Sequence, residues 1–236
     1  MNISILMPSR GRPDKAKAAI DKLLALAHHP ELVEVIIRID QNDPRAGEYA
    51  ALAGGNILVV AGESYGYMGI WRYFEECFKC SSGQVLVEYI DDAEMKTKWW
   101  DAVYLGAAKQ NPMAAISCRV TGDTFRWAIT SAPRKLYPFS MIPNLPDQSL
   151  GLTPGKDRVW AAYAEASGNE IMAEVVIEHT LEPSPPGSTR SNYMQDVQDN
   201  WGRWNERWTE AGKHMAELQN EKSNYFHDDK PANRGD

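Results

Sequence analysis

In the stretch VLVEYIDDAEMKTKWW (residues 85–100), an apolar run of Val85, Leu86, Val87, Tyr89 and Ile90 ends in two adjacent carboxylates, Asp91 and Asp92. Such a pair at the end of a buried strand is unfavourable unless a cation or a proton settles it. Hard divalent cations take carboxylate oxygens; the alternative is a solvated turn, where aspartate is common. Other groups of chemical interest stand at similar boundaries. Arg10 and Arg12 follow the first apolar run in MPSRGRP and suit diphosphate oxygens. Asp40 and Asp43 flank the turn after IIRID, and Gly62, Gly66 and Gly69 around GESYGYMG permit close backbone approach to a ligand. His179 closes the β-rich run VVIEHT, where a lone histidine is more often structural. Asp157 follows the Gly/Pro loop GLTPGK and precedes VWAAYAEA, so it is a natural helix cap. Cys77 and Cys80 form a C-x-x-C with no second pair to complete a zinc site, and read as two cysteines near a helix end. His28 and His29, before Pro30, read as exposed caps. Neither a G-x-G-x-x-G fingerprint nor a P-loop is present.

The elements that must position these groups alternate. ISILMP (3–8), VEVIIRID (33–40), NILVVAG (56–62) and residues 84–90 read as strands. Between them, Ala19, Ile20, Leu23, Leu24 and Ala27 recur at helical spacing behind a candidate cap, Asp14. Tyr67, Ile70, Trp71, Phe74, Cys77 and Phe78 fall on one face of a second helix. This β-α-β-α-β rhythm predicts an α/β fold with a mostly parallel sheet flanked by helices. Ligands of such sheets bind at the carboxyl ends of the strands, where Ser9–Arg10, Asp40 and Asp91–Asp92 gather.

Composition sets bounds. The chain has 236 residues, 43% of them hydrophobic and 24% charged, as in ordinary globular proteins. Its net charge of −7 argues against a dedicated nucleic-acid binder without excluding an enzyme that touches DNA locally. No apolar run approaches the ~18 residues of a membrane span. MNISILMPSRGR reads as a first strand rather than a signal peptide, and three cysteines make no disulfide framework, which fits a cytoplasmic location.

Taken in order, MPSRGRP, IRIDQNDP and YIDDAEMKTKWWD resemble the GT-A fold glycosyltransferases of the family-2-like kind, including the small stand-alone bacterial and phage type. The likeness extends to GLTPGKDRVWAAYAEASGNEIMAEVVIEHTLEP (151–183). It implies that Pro8, Ser9, Arg10 and Arg12 cradle the donor nucleotide and that Asp40 hydrogen-bonds its base. Gly66 and Asp91 join the donor site. Asp91, Asp92 and His179 hold Mn2+ or Mg2+, with the histidine favouring manganese, and Asp157 acts as catalytic base in an inverting transfer. The sequence departs from the family pattern in reading IDD rather than D-x-D. Lys156 precedes Asp157 where another acid is usual, and Tyr73 or Trp71 stands where an asparagine is common. Of Trp99 and Trp100, one reads as core and the other as a sugar platform.

The resemblance implies a GT-A catalytic domain at 1–183 and a Pro/Ser-rich loop at 184–192 that closes over the donor and brings Arg190 to the diphosphate. From the residues themselves, 193–223 form an amphipathic helix, and the tail 224–236 reads as disordered. Met194, Val197, Trp201, Trp204, Trp208, Ala211, Met215 and Leu218 follow a heptad-like spacing. Such a stripe packs on its own domain or on a second copy as a homodimer. The expected function is transfer of a sugar, a UDP-sugar first, to a hydroxyl of a glycan or of a hydroxymethylated base in phage DNA, in which case the location is the host cytoplasm. The rivals are a nucleotidyltransferase, for which PSRGRPDK half fits, and a non-catalytic nucleotide-sugar-binding or scaffold protein.

Overall fold

The first strand, β1 (Ile3–Pro8), is buried along nearly all its length because both of its neighbours are parallel strands and helices cover both faces. The computed structural model describes residues 2–122, 130–137, 156–179 and 189–227. After β1 come α1 (Pro13–Leu26), β2 (Val33–Asp40), α2 (Ala46–Ala50), β3 (Ile57–Gly62), α3 (Ile70–Cys80) and β4 (Val85–Glu88). Then follow β5 (Ala93–Met95), α4 (Trp100–Gln110), β6 (Ala115–Thr121), β7 (Thr130–Pro133), α5 (Lys156–Ser167), β8 (Glu170–His179), α6 (Thr189–Asp199) and α7 (Trp201–His227).

Among the described residues the strands form one sheet in the order β3-β2-β1-β4-β7-β6-β8-β5. The half containing β1 to β4 is parallel, as the alternation of elements predicts. In the other half β6 and β8 are parallel, while β7 and β5 run antiparallel to their neighbours. One core cluster packs α1 and α4 on one face, from Ile3, Ile5, Ile37 and Val87 to Ile20, Leu23, Trp100 and Tyr104. The other face holds Leu6, Ile36, Leu86, Phe74, Trp160 and Met215.

Local chemistry explains the boundaries. Helix α1 starts with Pro13 at its first turn, where a fixed φ and a missing N–H are both tolerated. Asp14 therefore lies inside the first turn and does not cap; it pairs with Arg45 at 2.8 Å. The apolar run 84–90 is a strand only to Glu88. Tyr89 N–H still donates to Leu6 O at 2.9 Å, and the chain then turns through Ile90–Asp91–Asp92 into β5. In α3 the buried face is Tyr73, Phe74 and Cys77, rotated from the expected stripe, so Tyr73 points inward and Trp71 is half-exposed. Cys77, Cys80 and Cys118 are free thiols.

The tryptophan stripe covers its own chain. Helix α7 lies along α5, and Val197, Trp204, Trp208 and Ala211 bury against Val159 while Met215 joins Trp160 and Tyr163. The stripe is interrupted at Asn200, between α6 and α7, and Trp201 is left 47% exposed with Arg158 over its ring. Helices α5 and α7 meet at Gly212, where a β-carbon would stand 2.4 Å from Ala162 Cβ and 2.5 Å from Tyr163 N. Among the described residues no helix is long and apolar enough to cross a membrane.

Candidate active site

The carboxyl edge of the parallel strands brings together groups from four segments. The turn after β1 supplies Ser9, Arg10 and Arg12. Gly11, at φ +67°, lets that turn reverse, and its N–H is anchored by Asp43 Oδ2 at 2.7 Å. The end of β2 supplies Asp40, the turn after β4 supplies Asp91 and Asp92, and the end of β8 supplies His179. The pairing of β5 with β8 aligns Ala93 with His179, which brings the imidazole beside the carboxylates. Behind it, Gly122 takes φ +82° and passes so close to His179 that a β-carbon would lie 2.3 Å from the His179 carbonyl oxygen.

Asp91 is buried, and Ser9 and Arg12 meet it. Ser9 Oγ donates to Asp91 Oδ2 at 2.5 Å, and Arg12 Nη2 lies 2.5 Å from Oδ1. The Arg12 N–H donates to the Tyr49 hydroxyl at 2.8 Å, so that hydroxyl is free to donate to Ser9 Oγ at 2.6 Å. A polarised chain thus runs from the backbone through Tyr49 and Ser9 to Asp91. Burial pushes the Asp91 carboxyl above its ordinary value, against the opposing hydrogen bond of Ser9 and charge of Arg12, while the neighbouring Asp92 raises it further. Arg12 Nη1 reaches Asp92 Oδ2 at 3.2 Å, and His179 Nε2 stands 3.7 Å from Asp92 Oδ1. The guanidinium therefore bridges both carboxylates.

A second network surrounds Asp40, which is also buried. Tyr73 OH donates to Oδ1 at 2.7 Å, Ser64 Oγ donates to Oδ2 at 2.9 Å, and Arg10 pairs with Oδ2. The Tyr73 oxygen in turn accepts the N–H groups of Tyr65 at 2.8 Å and Gly66 at 3.1 Å. Beneath it, Arg38 is fully buried. It pairs with Glu76, donates to the carbonyls of Ile39 and Glu63, and lies over the Tyr73 ring at 4.9 Å. Gly62 leaves room there for the Arg38 guanidinium, which a β-carbon would meet at 2.6 Å and displace. Arg38, Tyr49, Ser64 and Tyr73 escape sequence reasoning as site residues: each sits in an apolar or turn pattern, and only the fold aims Arg38, Ser64 and Tyr73 at carboxylates and Tyr49 at Ser9.

The remaining candidates are placed as follows. Pro8 is the last residue of β1, paired in register with Arg38. Asp157 is the second residue of α5, inside the first turn, where a carboxylate is favoured by the helix dipole. Helix α5 is followed within two residues by β8, which carries His179 at its end. Arg190 belongs to α6, which packs on the Tyr67–Gly69 turn beside Gly66; its side chain lies outside the described residues. So do residues 180–188, most of the expected loop, and 228–236 of the expected tail. Trp100 is core, but Trp99 is no sugar platform for this site. Its N–H donates to Leu26 O at 2.6 Å, at the far end of α1, which a 14-residue helix puts about 21 Å from Arg12. The backbone N–H groups of His28 and His29 are held there by the carboxylate of Asp101.

A cleft of about 470 Å³ opens between α1 and β5, lined by Lys15, Ala18, Lys22, Glu94 and the two aspartates. For a divalent cation the donor set is suitable in kind, with hard carboxylate oxygens and one imidazole nitrogen. Among the described residues, however, no three acid, imidazole or thiol groups are gathered closely enough to hold an ion. In this arrangement Arg12 meets the charge of the pair.

No known protein-family model and no curated protein matches this chain. Solved structures do. S. aureus TarS residues 1–349 in complex with UDP-GlcNAc superposes with a TM-score of 0.58 at 10% identity, over 78% of this chain and 60% of that one. The mannosyltransferase PcManGT from Pyrobaculum calidifontis, in complex with GDP-Man and Mn2+, superposes with a TM-score of 0.55 at 12% identity, over 96% of this chain and 81% of that one. The chain thus spans about 60% of the length of the TarS fragment. The likeness, at this identity, is one of architecture: the chain has the GT-A fold of glycosyltransferases.

Proposed function

We propose that this protein is a glycosyltransferase that binds a nucleotide sugar, a UDP-sugar first, at the carboxyl edge of its sheet and transfers the sugar to a hydroxyl group. The observation that carries this reading is the convergence of the Pro8–Arg12 turn, Asp40, Asp91, Asp92 and His179 at that edge, in a fold whose solved relatives bind UDP-GlcNAc and GDP-Man. In this reading residues 1–183 are the catalytic domain. Pro8 and Ser9 border the base, Asp40 accepts a hydrogen bond from it, and the Gly66 backbone lies against the donor. Arg10, Arg12 and Arg190 face the diphosphate, where guanidinium forks match phosphate oxygens. Asp91, Asp92 and His179 would hold Mn2+ or Mg2+, which when bound offsets negative charge on the departing diphosphate.

Asp157 is the base. It takes the proton of the acceptor hydroxyl while the acceptor oxygen bonds to the anomeric carbon and the bond from that carbon to the diphosphate breaks, which inverts the centre. The net charge of −7 favours a glycan hydroxyl over DNA as acceptor, and three free thiols suit the cytoplasm. The test is a panel of UDP- and GDP-sugars with Mn2+, read by thermal shift and by slow hydrolysis without acceptor. One sugar should stabilise the protein and release its nucleoside diphosphate. No shift and no hydrolysis across the panel would contradict the reading.

A further inference from the structure

The two arginines of one short turn cover the carboxylates of both halves of the site. Arg10 pairs with Asp40, and Arg12 bridges Asp91 and Asp92 at 2.5 and 3.2 Å. The arms are held on opposite sides of Gly11, whose left-handed conformation and hydrogen bond to Asp43 fix the turn, while the Arg12 N–H is tied to Tyr49. Asp91 is buried and Asp92 nearly so, whereas the Arg12 side chain is 39% exposed. The anions are the buried members of the group and the cation is the exposed one. Lys15, one turn along α1, and Lys22 keep their side of the cleft basic as well.

We infer that the Arg12 guanidinium is a resident counter-ion that bars free divalent cations from Asp91 and Asp92, and that a nucleoside diphosphate opens the pair by drawing Arg12 onto its phosphates. This rests on the proposed donor site and adds an order of assembly to it. A cation approaching the pair alone must displace a charge-assisted fork. A diphosphate gives that fork equivalent acceptors, so nucleotide and cation are coupled through Arg12, and the coupling is reciprocal.

The experiment measures binding of Mn2+ alone, by electron paramagnetic resonance at pH 7.5, to wild type, Arg12→Gln, Arg12→Lys and the double variant Arg12→Gln/Asp92→Asn. Each is repeated with UDP and with GDP. Arg12→Gln should bind Mn2+ at least ~10-fold more tightly than wild type in the absence of nucleotide, a difference of about 1.4 kcal/mol. The gain should vanish in the double variant, and Arg12→Lys, a cation without the fork, should fall between. The Arg12 side chain is partly exposed and its backbone bond to Tyr49 survives substitution, so the fold should persist, as circular dichroism would verify. Equal Mn2+ affinity in wild type and Arg12→Gln, with both binding when nucleotide is added, would overturn the counter-ion role and leave the metal pair standing. Absence of Mn2+ binding in every variant, nucleotide included, would overturn the counter-ion role and the metal assignment together. Hydrolysis of the nucleotide-sugar panel would then still judge the transferase reading.

Discussion

Replacing Tyr73 by Phe removes one oxygen and nothing else, yet that oxygen serves three partners. It donates to Asp40 Oδ1 at 2.7 Å and accepts the N–H groups of Tyr65 and Gly66 at 2.8 and 3.1 Å. A neutral hydrogen bond contributes about 0.5–1.5 kcal/mol and one to a charged group about 1.5–3. The sum is about 2.5–6 kcal/mol, of which water recovers part because the Tyr65–Gly66 segment is partly exposed. A loss of about 2–3 kcal/mol in unfolding free energy is expected. Burial, and then the bond to Asp40, raise the phenol above its ordinary value of 10.0. The hydroxyl is therefore a proton donor at neutral pH. Its contribution is fully present below pH about 10 and is lost as pH rises beyond that value. Function should suffer along with stability, since the same oxygen fixes both Asp40 and the Gly66 backbone. Nucleotide affinity should fall ~10-fold or more, at about 1.4 kcal/mol per decade. Urea unfolding at pH 7 and 11, with calorimetry of nucleotide binding, makes the test. A variant as stable as wild type at pH 7, with unchanged nucleotide affinity, would refute the claim that Tyr73 holds the base side of the site.

Three further outcomes follow from the packing and charges. Gly212→Ala would ordinarily stabilise a helix by up to about 1 kcal/mol. Here the new methyl would meet backbone atoms of α5 at 2.5–2.6 Å, so a net loss of about 1–3 kcal/mol in thermal or urea unfolding is expected. Asp91→Asn removes a carboxylate whose pKa burial raises above its usual 3.8. A raised carboxyl stabilises the fold below its unfolded pKa and loses that contribution as pH climbs through the folded one. The variant should thus gain on wild type between pH ~4 and neutrality, while losing donor binding; a difference in stability that does not change over that range would contradict the burial argument. Asp157→Asn should leave stability and donor binding nearly intact yet cut transfer by ~10²–10⁴ if the residue is the base. Undiminished transfer, or a product that keeps the donor's configuration, would remove it from that role.

Much of the scaffold is legible in the residues because parallel strands buried on both faces write long apolar runs. β1 and β2 match ISILMP and VEVIIRID residue for residue. Their polar ends point to Ser9, Asp40 and Asp91–Asp92 because the chain must leave the sheet there. β5 and β7 are not legible, having only three and four residues, too few to show a period. Yet β5 is what sets His179 beside Asp92. The partners of Asp40 are hidden for another reason. Tyr73 occupies a helical position among apolar residues, and Arg38 follows the aliphatic run Val35–Ile36–Ile37, so their polar tips read as incidental until the fold aims them. Asp14 shows the opposite error, a plausible cap displaced by the stronger preference of Pro13 for the first turn. The tryptophan spacing declares a buried seam but not its partner; Gly212, which lets α7 approach α5, is uninformative until the helices are seen together.

Binding of a nucleotide sugar at the carboxyl edge, as proposed, depends on Asp92 and a divalent ion. The most direct measurement is calorimetry of a UDP-sugar, or of whichever sugar the panel selects, against wild type and Asp92→Asn, each with Mn2+ and with EDTA. Binding should occur in wild type with Mn2+, weaken sharply in EDTA, and be lost in Asp92→Asn while its circular dichroism is unchanged. Equal affinity in all four conditions would contradict the account.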